Sequence, residues 1–470
     1  MNTVSSNNSG AASDKRDLRV GLCGLGTVGQ ALVDLLHVNA AQIEAQAGRP
    51  VRLVQVASRS AKPGVDLHGA GFATDIDALV DDPDVDVVVE LIGGETKALE
   101  LSRKTLDAGK SLVTGNKALL ALHGEDLFSR ARKNGATIGL EAAVAGGIPL
   151  INALLSGLGG NQVEWVAGII NGTCNYILTA MTEEGADLPE VLKRAQELGY
   201  AEADPTFDVG GIDAAHKIAI IAGLVFGVSV DFSDVPVSGI DCVAAEDIEY
   251  ARQLGYRVKH LGVAAAERDA TGQLTALDVR AHAALVPEDV LLAGINGVTN
   301  AAMVKDNAVG LSLYAGPGAG GAPTAASVVA DLIRVAQGVP MMGADSDACE
   351  NGSGQVRMKP IEESEAPFYL RIPVLDRPGV LAKISHLLGQ EGISIESVIQ
   401  REQAVRKTSG THVRDGADRG ADAEKRWVPI VLLTQRVAQG ALGRALQTIA
   451  ASADVVGEIV SIRVETLGDA

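Results

Sequence analysis

Aromatic side chains are scarce in this chain of 470 residues: six Phe, six Tyr and two Trp make up 3% of it. Any core must therefore be aliphatic. Cysteine is scarcer still. Cys23, Cys174, Cys242 and Cys349 are widely spread and form no CxxC pair. That spacing fits neither a zinc site nor a disulfide framework, and it points to a reducing cytoplasm. Excess positive charge is missing too: the net charge is −19, whereas a nucleic-acid partner requires a basic face. No apolar run reaches membrane-spanning length. Residues 1–17, MNTVSSNNSGAASDKRD, lack the apolar stretch of a secretory signal and read as a disordered tail.

What is present is ordinary globular material, 47% hydrophobic and 21% charged, in a chain too long for one core. Over residues 18–149, short Val-rich runs (LRVGLCG, VRLVQVASR, VDVVVELIG, KSLVTGN, ATIGLEAAV) alternate with helical spacing. That is the pattern of a doubly wound parallel sheet, a Rossmann-like α/β domain. Residues 150–337 read as an α+β domain that ends in the helix APTAASVVADLIRVA. Residues 338–366 lose periodicity and read as a linker. Residues 367–466 run strand, helix, strand, strand, helix, strand, the ferredoxin-like βαββαβ order. The charged, Gly-containing stretch near 403–425 between its halves is expected to be a mobile loop.

The first strand leads directly into Gly24-Leu25-Gly26-Thr27-Val28-Gly29 and then a helix, the setting a dinucleotide fingerprint requires. Gly24 permits the turn, Gly26 lets backbone approach a pyrophosphate, and Gly29 allows close helix packing. The second strand ends in ASRS, offering Arg59 where an NAD-specific site usually carries an acid. Arg59 suits a 2′-phosphate, so NADP, or use of both NADP and NAD, is expected. Lys117 stands in the first turn of a helix, against the helix dipole, and a locally unfavourable residue is a functional candidate. Glu141 ends a strand too apolar for a lone carboxylate. Either a cation held with nearby carbonyls or a hydrogen-bonded structural role resolves it.

The densest polar stretch is LGYAEADPTFDVGGIDAAHKIAII (198–221). Asp213 and Lys217 stand four residues apart on one face of a largely buried helix, where a desolvated lysine beside a carboxylate can shuttle a proton. His216 points elsewhere and reads as packing or surface.

In order along residues 18–337, GLGTVG, GNKAL, EAAVAGGIP, NGTCNYIL, GYAEADPTFDVGGIDAAHK and YAGPGAGGAPTAASVVADLI resemble the homoserine dehydrogenase family. LDRPGVLAKISHLLGQEGISIESV, within the final segment, resembles an ACT domain. The resemblance implies NAD(P)-dependent interconversion of L-homoserine and L-aspartate 4-semialdehyde, a branch step toward threonine, methionine and isoleucine. It casts Lys217 as the group exchanging the hydroxyl proton, Lys117 as its partner near the reacting carbon and the cofactor, and Asp213 as the residue orienting Lys217. Glu202 would bind the substrate ammonium, with Asp208 and Asp213 lining the pocket and Thr173 of Asn171–Thr173 contributing donors at a helix start. Glu141 with the carbonyls of Val144, Gly146 and Ile148 matches a monovalent cation site, sodium for example. Gly318, in GPGAG, would lie near the cofactor. The ACT-like tail implies threonine as effector, held between the Asp376–Gly379 loop and a partner domain's Gly392–Ile395 segment, and a homodimer or homotetramer. The insertion at 403–425 departs from the ACT pattern. Two rival readings stand beside this one: a semialdehyde dehydrogenase using Cys174 as nucleophile, and a non-enzymatic amino-acid sensor.

Overall fold

The computed structural model describes residues 16–339, 356–400 and 427–468. The expected tail up to residue 15, the linker from 340 to 355 and the loop at 403–425 lie outside the described residues. The chain forms two compact units. One comprises Met1–Leu119, His123–Ala143 and Gly320–Asp345; the other comprises Leu120–Leu122, Val144–Ala319 and Ser346–Ala470.

The first unit is built on six parallel strands: β1 (Leu18–Cys23), β2 (Val51–Ala57), β3 (Gly71–Ala73), β4 (Val87–Glu90), β5 (Ser111–Thr114) and β6 (Ile138–Gly139). Their order is β3-β2-β1-β4-β5-β6, the doubly wound arrangement. The Val-rich runs are explained by burial on both faces: all four residues of β4 are buried. On one face Leu32 and Leu36 of the Thr27–Val38 helix meet Val328, Leu332 and Ala336 of the Gly321–Gln337 helix; on the other, Val88 meets Leu79 and Leu101. Strand β3 escaped the sequence reading. It is a three-residue edge strand with no buried residue, so it carries no apolar signal.

Two boundaries differ from the sequence reading. The Gly321–Gln337 helix, expected to end the α+β segment, belongs to the first unit, where its apolar stripe completes the core. Arg16 and Asp17, expected in the tail, are tied down: Arg16 pairs with Asp86 at 2.6 Å, and Asp17 pairs with Arg52.

In the second unit, β7 (Val163–Ile169), β8 (Tyr256–Arg268), β9 (Leu274–Pro287), β10 (Thr299–Asp306) and β11 (Gly310–Pro317) form an antiparallel sheet in the order β11-β10-β7-β8-β9. The helices Gly172–Glu184, Ile212–Phe226 and Ala245–Gln253 belong to this unit. Beyond it come β12 (Arg357–Met358), β13 (Glu365–Ala366), β14 (Phe368–Leu375), β15 (Ile395–Gln400), β16 (Trp427–Thr434), β17 (Val437–Ala438) and β18 (Val460–Val464). With the helices Val380–Gln390 and Gln439–Ala450 they complete the expected βαββαβ order. The described end of the expected linker is not loose: β12 pairs with β9, and β13 with β17.

The C-terminal strands share a sheet with the rest of the unit. Strand β18 pairs in parallel with β9 through Arg463↔Ala284 and Val464↔Leu285, giving one ten-stranded sheet. One core runs across the seam, from Ile177 and Leu178 through Ala251 and Leu285 to Tyr369, Leu433 and Ile462. Buried charges are paired there. Asp247, fully buried, accepts from the Tyr369 hydroxyl at 2.8 Å and from Arg371 at 2.6 and 3.0 Å. Arg280 of β9 pairs with Asp278 at 2.6 Å and with Glu465 at 2.7 Å. Arg463 donates to Glu465 and to the Ser364 hydroxyl. Among the described residues no helix is long and apolar enough to cross a membrane.

Candidate active site

The singled-out residues fall in both units. In the first, the β1 end turns through Gly24, whose φ of +106° favours glycine and where a Cβ would fall 2.6 Å from the Leu91 carbonyl oxygen. A Cβ at Gly29 would overlap the Gly24 carbonyl. Gly26 meets nothing within 4 Å and N-caps the Thr27–Val38 helix, which has no acid in its first turn. Leu25 is buried beneath the loop, Thr27 is exposed and Val28 half-exposed. The result is an open, positively polarised helix start suited to a pyrophosphate. Cys23 is not reactive there: burial, with the Glu90 charge adding, pushes its thiol up to about 12. Arg59 is exposed, with no hydrogen-bond or ion-pair partner among the described residues, just beyond β2.

Lys117 begins its helix because Asn116 caps it. The Asn116 side chain accepts from the Leu119 N–H at 3.1 Å and donates to the Gly94 carbonyl at 2.7 Å. Behind it, the Thr114 hydroxyl accepts from the Asn116 N–H and donates to Glu90 at 2.6 Å, and Glu90 also accepts from the N–H groups of Ile92 and Gly93. Glu90, fully buried, thus orders the loops at the carboxyl ends of β4 and β5, where ligands of such sheets bind. It had the signal that exposed Glu141, a carboxylate in an apolar strand, and was passed over. Glu141 itself is 1% exposed, and its N–H donates to Asp331 at 2.9 Å. Burial, then the Glu141 charge, pushes the Asp331 carboxyl well above the usual range.

In the second unit, two donors from different segments meet on one carboxylate oxygen. Asn171 ends the β7 exit and caps the Gly172–Glu184 helix by accepting from the Cys174 N–H at 2.7 Å. Its amide donates to both Asp208 and Asp213 at 2.8 Å. Lys217 Nζ donates to the same Asp213 oxygen and to the Ile170 carbonyl, each at 2.7 Å. The Lys217 side chain is 11% exposed and that of Asp213 3%, so this pair is shielded from water.

Around this knot, Glu202 is exposed and its carboxylate has no hydrogen-bond or ion-pair partner among the described residues. Asp208 is half-buried. The Thr173 hydroxyl donates to the Tyr200 carbonyl at 2.7 Å, which leaves its N–H as the donor at the helix start. His216 is packed between the rings of Phe207 and Phe232. Val144, Gly146 and Ile148 lie on a tight turn with positive φ at Ala145 (56°) and Gly146 (27°), and a Cβ at Gly146 would fall 2.5 Å from the Gly318 carbonyl oxygen. The Ile148 carbonyl accepts from the Leu150 N–H. Cys174 is fully buried, its thiol donating to the Asp208 carbonyl, and burial pushes its pKa well above the ordinary value. Nothing there makes a nucleophile.

A doubly wound nucleotide fold and a shielded lysine–carboxylate pair define a nicotinamide-dependent dehydrogenase. Residues 149–333 match the family model for homoserine dehydrogenase, residues 24–141 that for the homoserine dehydrogenase NAD binding domain, and residues 368–426 that for the ACT domain. The chain is 44% identical to a homoserine dehydrogenase of Pseudomonas aeruginosa, covering 96% of this chain and 100% of the relative. It is 40% identical to one of Neisseria gonorrhoeae, covering 97% and 100%. A crystal structure of a homoserine dehydrogenase from Thiobacillus denitrificans superposes with a TM-score of 0.86 at 40% identity, covering 96% and 99%. The chain belongs to the homoserine dehydrogenase family and carries a C-terminal ACT domain.

Replacing the silent thiol should matter little to chemistry. Cys174→Ser is expected to keep turnover with homoserine within about threefold of wild type; a loss on the order of a thousandfold would reinstate covalent catalysis.

Proposed function

We propose that this chain interconverts L-homoserine and L-aspartate 4-semialdehyde with NADP as preferred cofactor and NAD as alternate, a step toward threonine, methionine and isoleucine. The observation that carries this reading is the Lys217 ammonium, shielded and held by two of its three donors. The third is left for a substrate oxygen. When bound, the nicotinamide supplies or accepts the hydride. Lys217 moves the proton: its ammonium gives one to the oxygen when the aldehyde is reduced, and its neutral form takes one when the alcohol is oxidised. Asp213 orients Lys217 through its 2.7 Å bond, and Asn171 fixes the Asp213 carboxylate in place.

Glu202 provides the unpaired charge for the substrate ammonium, with Asp208 beside it. The N–H groups of Gly172 and Thr173, first in their helix, have no carbonyl partner within it and suit the substrate carboxylate. Gly24 to Gly29 cradle the pyrophosphate, Arg59 takes the 2′-phosphate, and Lys117 and Gly318 are assigned to the nicotinamide end. Glu141 with the carbonyls of Val144, Gly146 and Ile148 is assigned to a monovalent cation, sodium being the first to try. Such a cation would offset the Glu141 charge. The domains follow the sequence divisions 18–149, 150–337 and 367–466, except that the Gly321–Gln337 helix joins the first of them. Threonine acts as effector on the ACT domain of a homodimer or homotetramer in the cytoplasm.

The test is the appearance of reduced nicotinamide when purified protein meets L-homoserine and NADP, then NAD, with and without threonine. Folded protein that turns over neither would refute the assignment. Lys217→Ala should lower kcat by roughly 10²–10⁴-fold and leave cofactor affinity nearly unchanged. Arg59→Ala should raise the KM for NADP about tenfold or more and spare NAD; equal effects on both would remove the 2′-phosphate role.

A further inference from the structure

Asn300 stands second in β10, and no sequence motif pointed to it. The residue is almost wholly enclosed, 2% exposed, yet its Oδ1 has no hydrogen-bond partner among the described residues. Buried amides are nearly always paired, because an unmade bond leaves the full desolvation penalty. Three features locate this amide at the substrate residues. Strand register sets Ala301 against Ile169, which puts Asn300 beside Ile170, the residue whose carbonyl holds Lys217. A Cβ at Gly172, the first residue of the capped helix, would fall 3.3 Å from Asn300 Oδ1. A Cβ at Gly318 would overlap the amide itself, so glycine flanks it on both sides. The approach to β10 is also pinned, since the Asn175 amide donates to the carbonyls of Ile295, Gly297 and Thr299.

We infer that Asn300 is a substrate-binding residue whose Oδ1 accepts a hydrogen bond from the α-ammonium of the amino-acid substrate. The inference rests on the proposed function. The helix start draws the α-carboxylate to the N–H groups of Gly172 and Thr173. The ammonium is borne by the same carbon, so an acceptor lying against Gly172 is placed to meet it. Glu202 contributes attraction from an exposed position, while Asn300 contributes a fixed direction from a buried one.

Two variants decide the matter, each first checked for a near-wild-type thermal melt. Asn300→Ala removes the acceptor and should raise the KM for homoserine roughly ten- to a hundredfold, the value of one hydrogen bond to a charged group. The KM for NADP should move less than about threefold. Asn300→Asp keeps the acceptor and adds negative charge toward an ammonium, so its homoserine KM should lie below that of Asn300→Ala. If Asn300→Ala melts far below wild type, Asn300→Ser, whose hydroxyl is too short to reach the Oδ1 position, takes its place, and calorimetry should show homoserine affinity falling about tenfold or more with NADP affinity within about threefold. The reverse order, an unchanged homoserine KM, or a rise confined to NADP would overturn the inference. Wild-type protein that fails to oxidise homoserine would strike the proposed function instead, and this inference with it.

Discussion

The carboxylate of Asp213 is the point on which the substrate unit turns. A buried carboxylate is untenable alone, and this one is held by the Lys217 ammonium and the Asn171 amide on a single oxygen. Those two donors come from different segments: Lys217 from one turn further along the same helix, Asn171 from the exit of β7. Asn171 also caps the following helix and reaches Asp208, while Lys217 returns to the Ile170 carbonyl. The helix Ile212–Phe226, the end of β7 and the start of Gly172–Glu184 are therefore fixed to one another by the same bonds that hold the Lys217 ammonium. Structure and chemistry share one set of contacts here.

Much of this was legible in the sequence because it is local. The glycine turn follows its strand directly, the βα alternation repeats in buried valines, and the Asp213–Lys217 spacing is a property of one helix. The order βαββαβ was likewise readable. What escaped was non-local or weakly apolar. Strand β3 has no buried residue to announce it. The Gly321–Gln337 helix reads as amphipathic wherever it docks, and only the folded chain shows its stripe against Leu32 and Leu36. Asp331 beneath Glu141 is 190 residues away in sequence. Asn300 owes its place to strand register, which one sequence does not reveal. The engagement of the Thr173 hydroxyl by the Tyr200 carbonyl, 27 residues on, is likewise invisible in the sequence.

The ACT strands do not form a separate bead. Their sheet continues the catalytic sheet through β9 and β18, and their first strand is anchored by Asp247 through Tyr369 and Arg371. Asp278, Arg280, Arg463 and Glu465 bury their charges at the same seam in opposite-charge pairs. Burial, with the Arg280 and Arg463 charges adding, drives the neighbouring His282 imidazole well below its usual pKa, so it stays neutral among them. A shared core and a shared sheet give a displacement of the tail a direct mechanical route into β9 and the strands beside it.

The seam also has a history within each molecule. Strand β18, which joins β9 to β14, is encoded after every other strand of that sheet. Beyond the short pairing of β12, the facing edges of β9 and β14 can be bridged only once residues 460–464 are in place. Completion of this sheet therefore waits on residues 460–464. Until it happens β9 and β14 present open edges, the surfaces through which nascent chains most readily associate with the wrong neighbour.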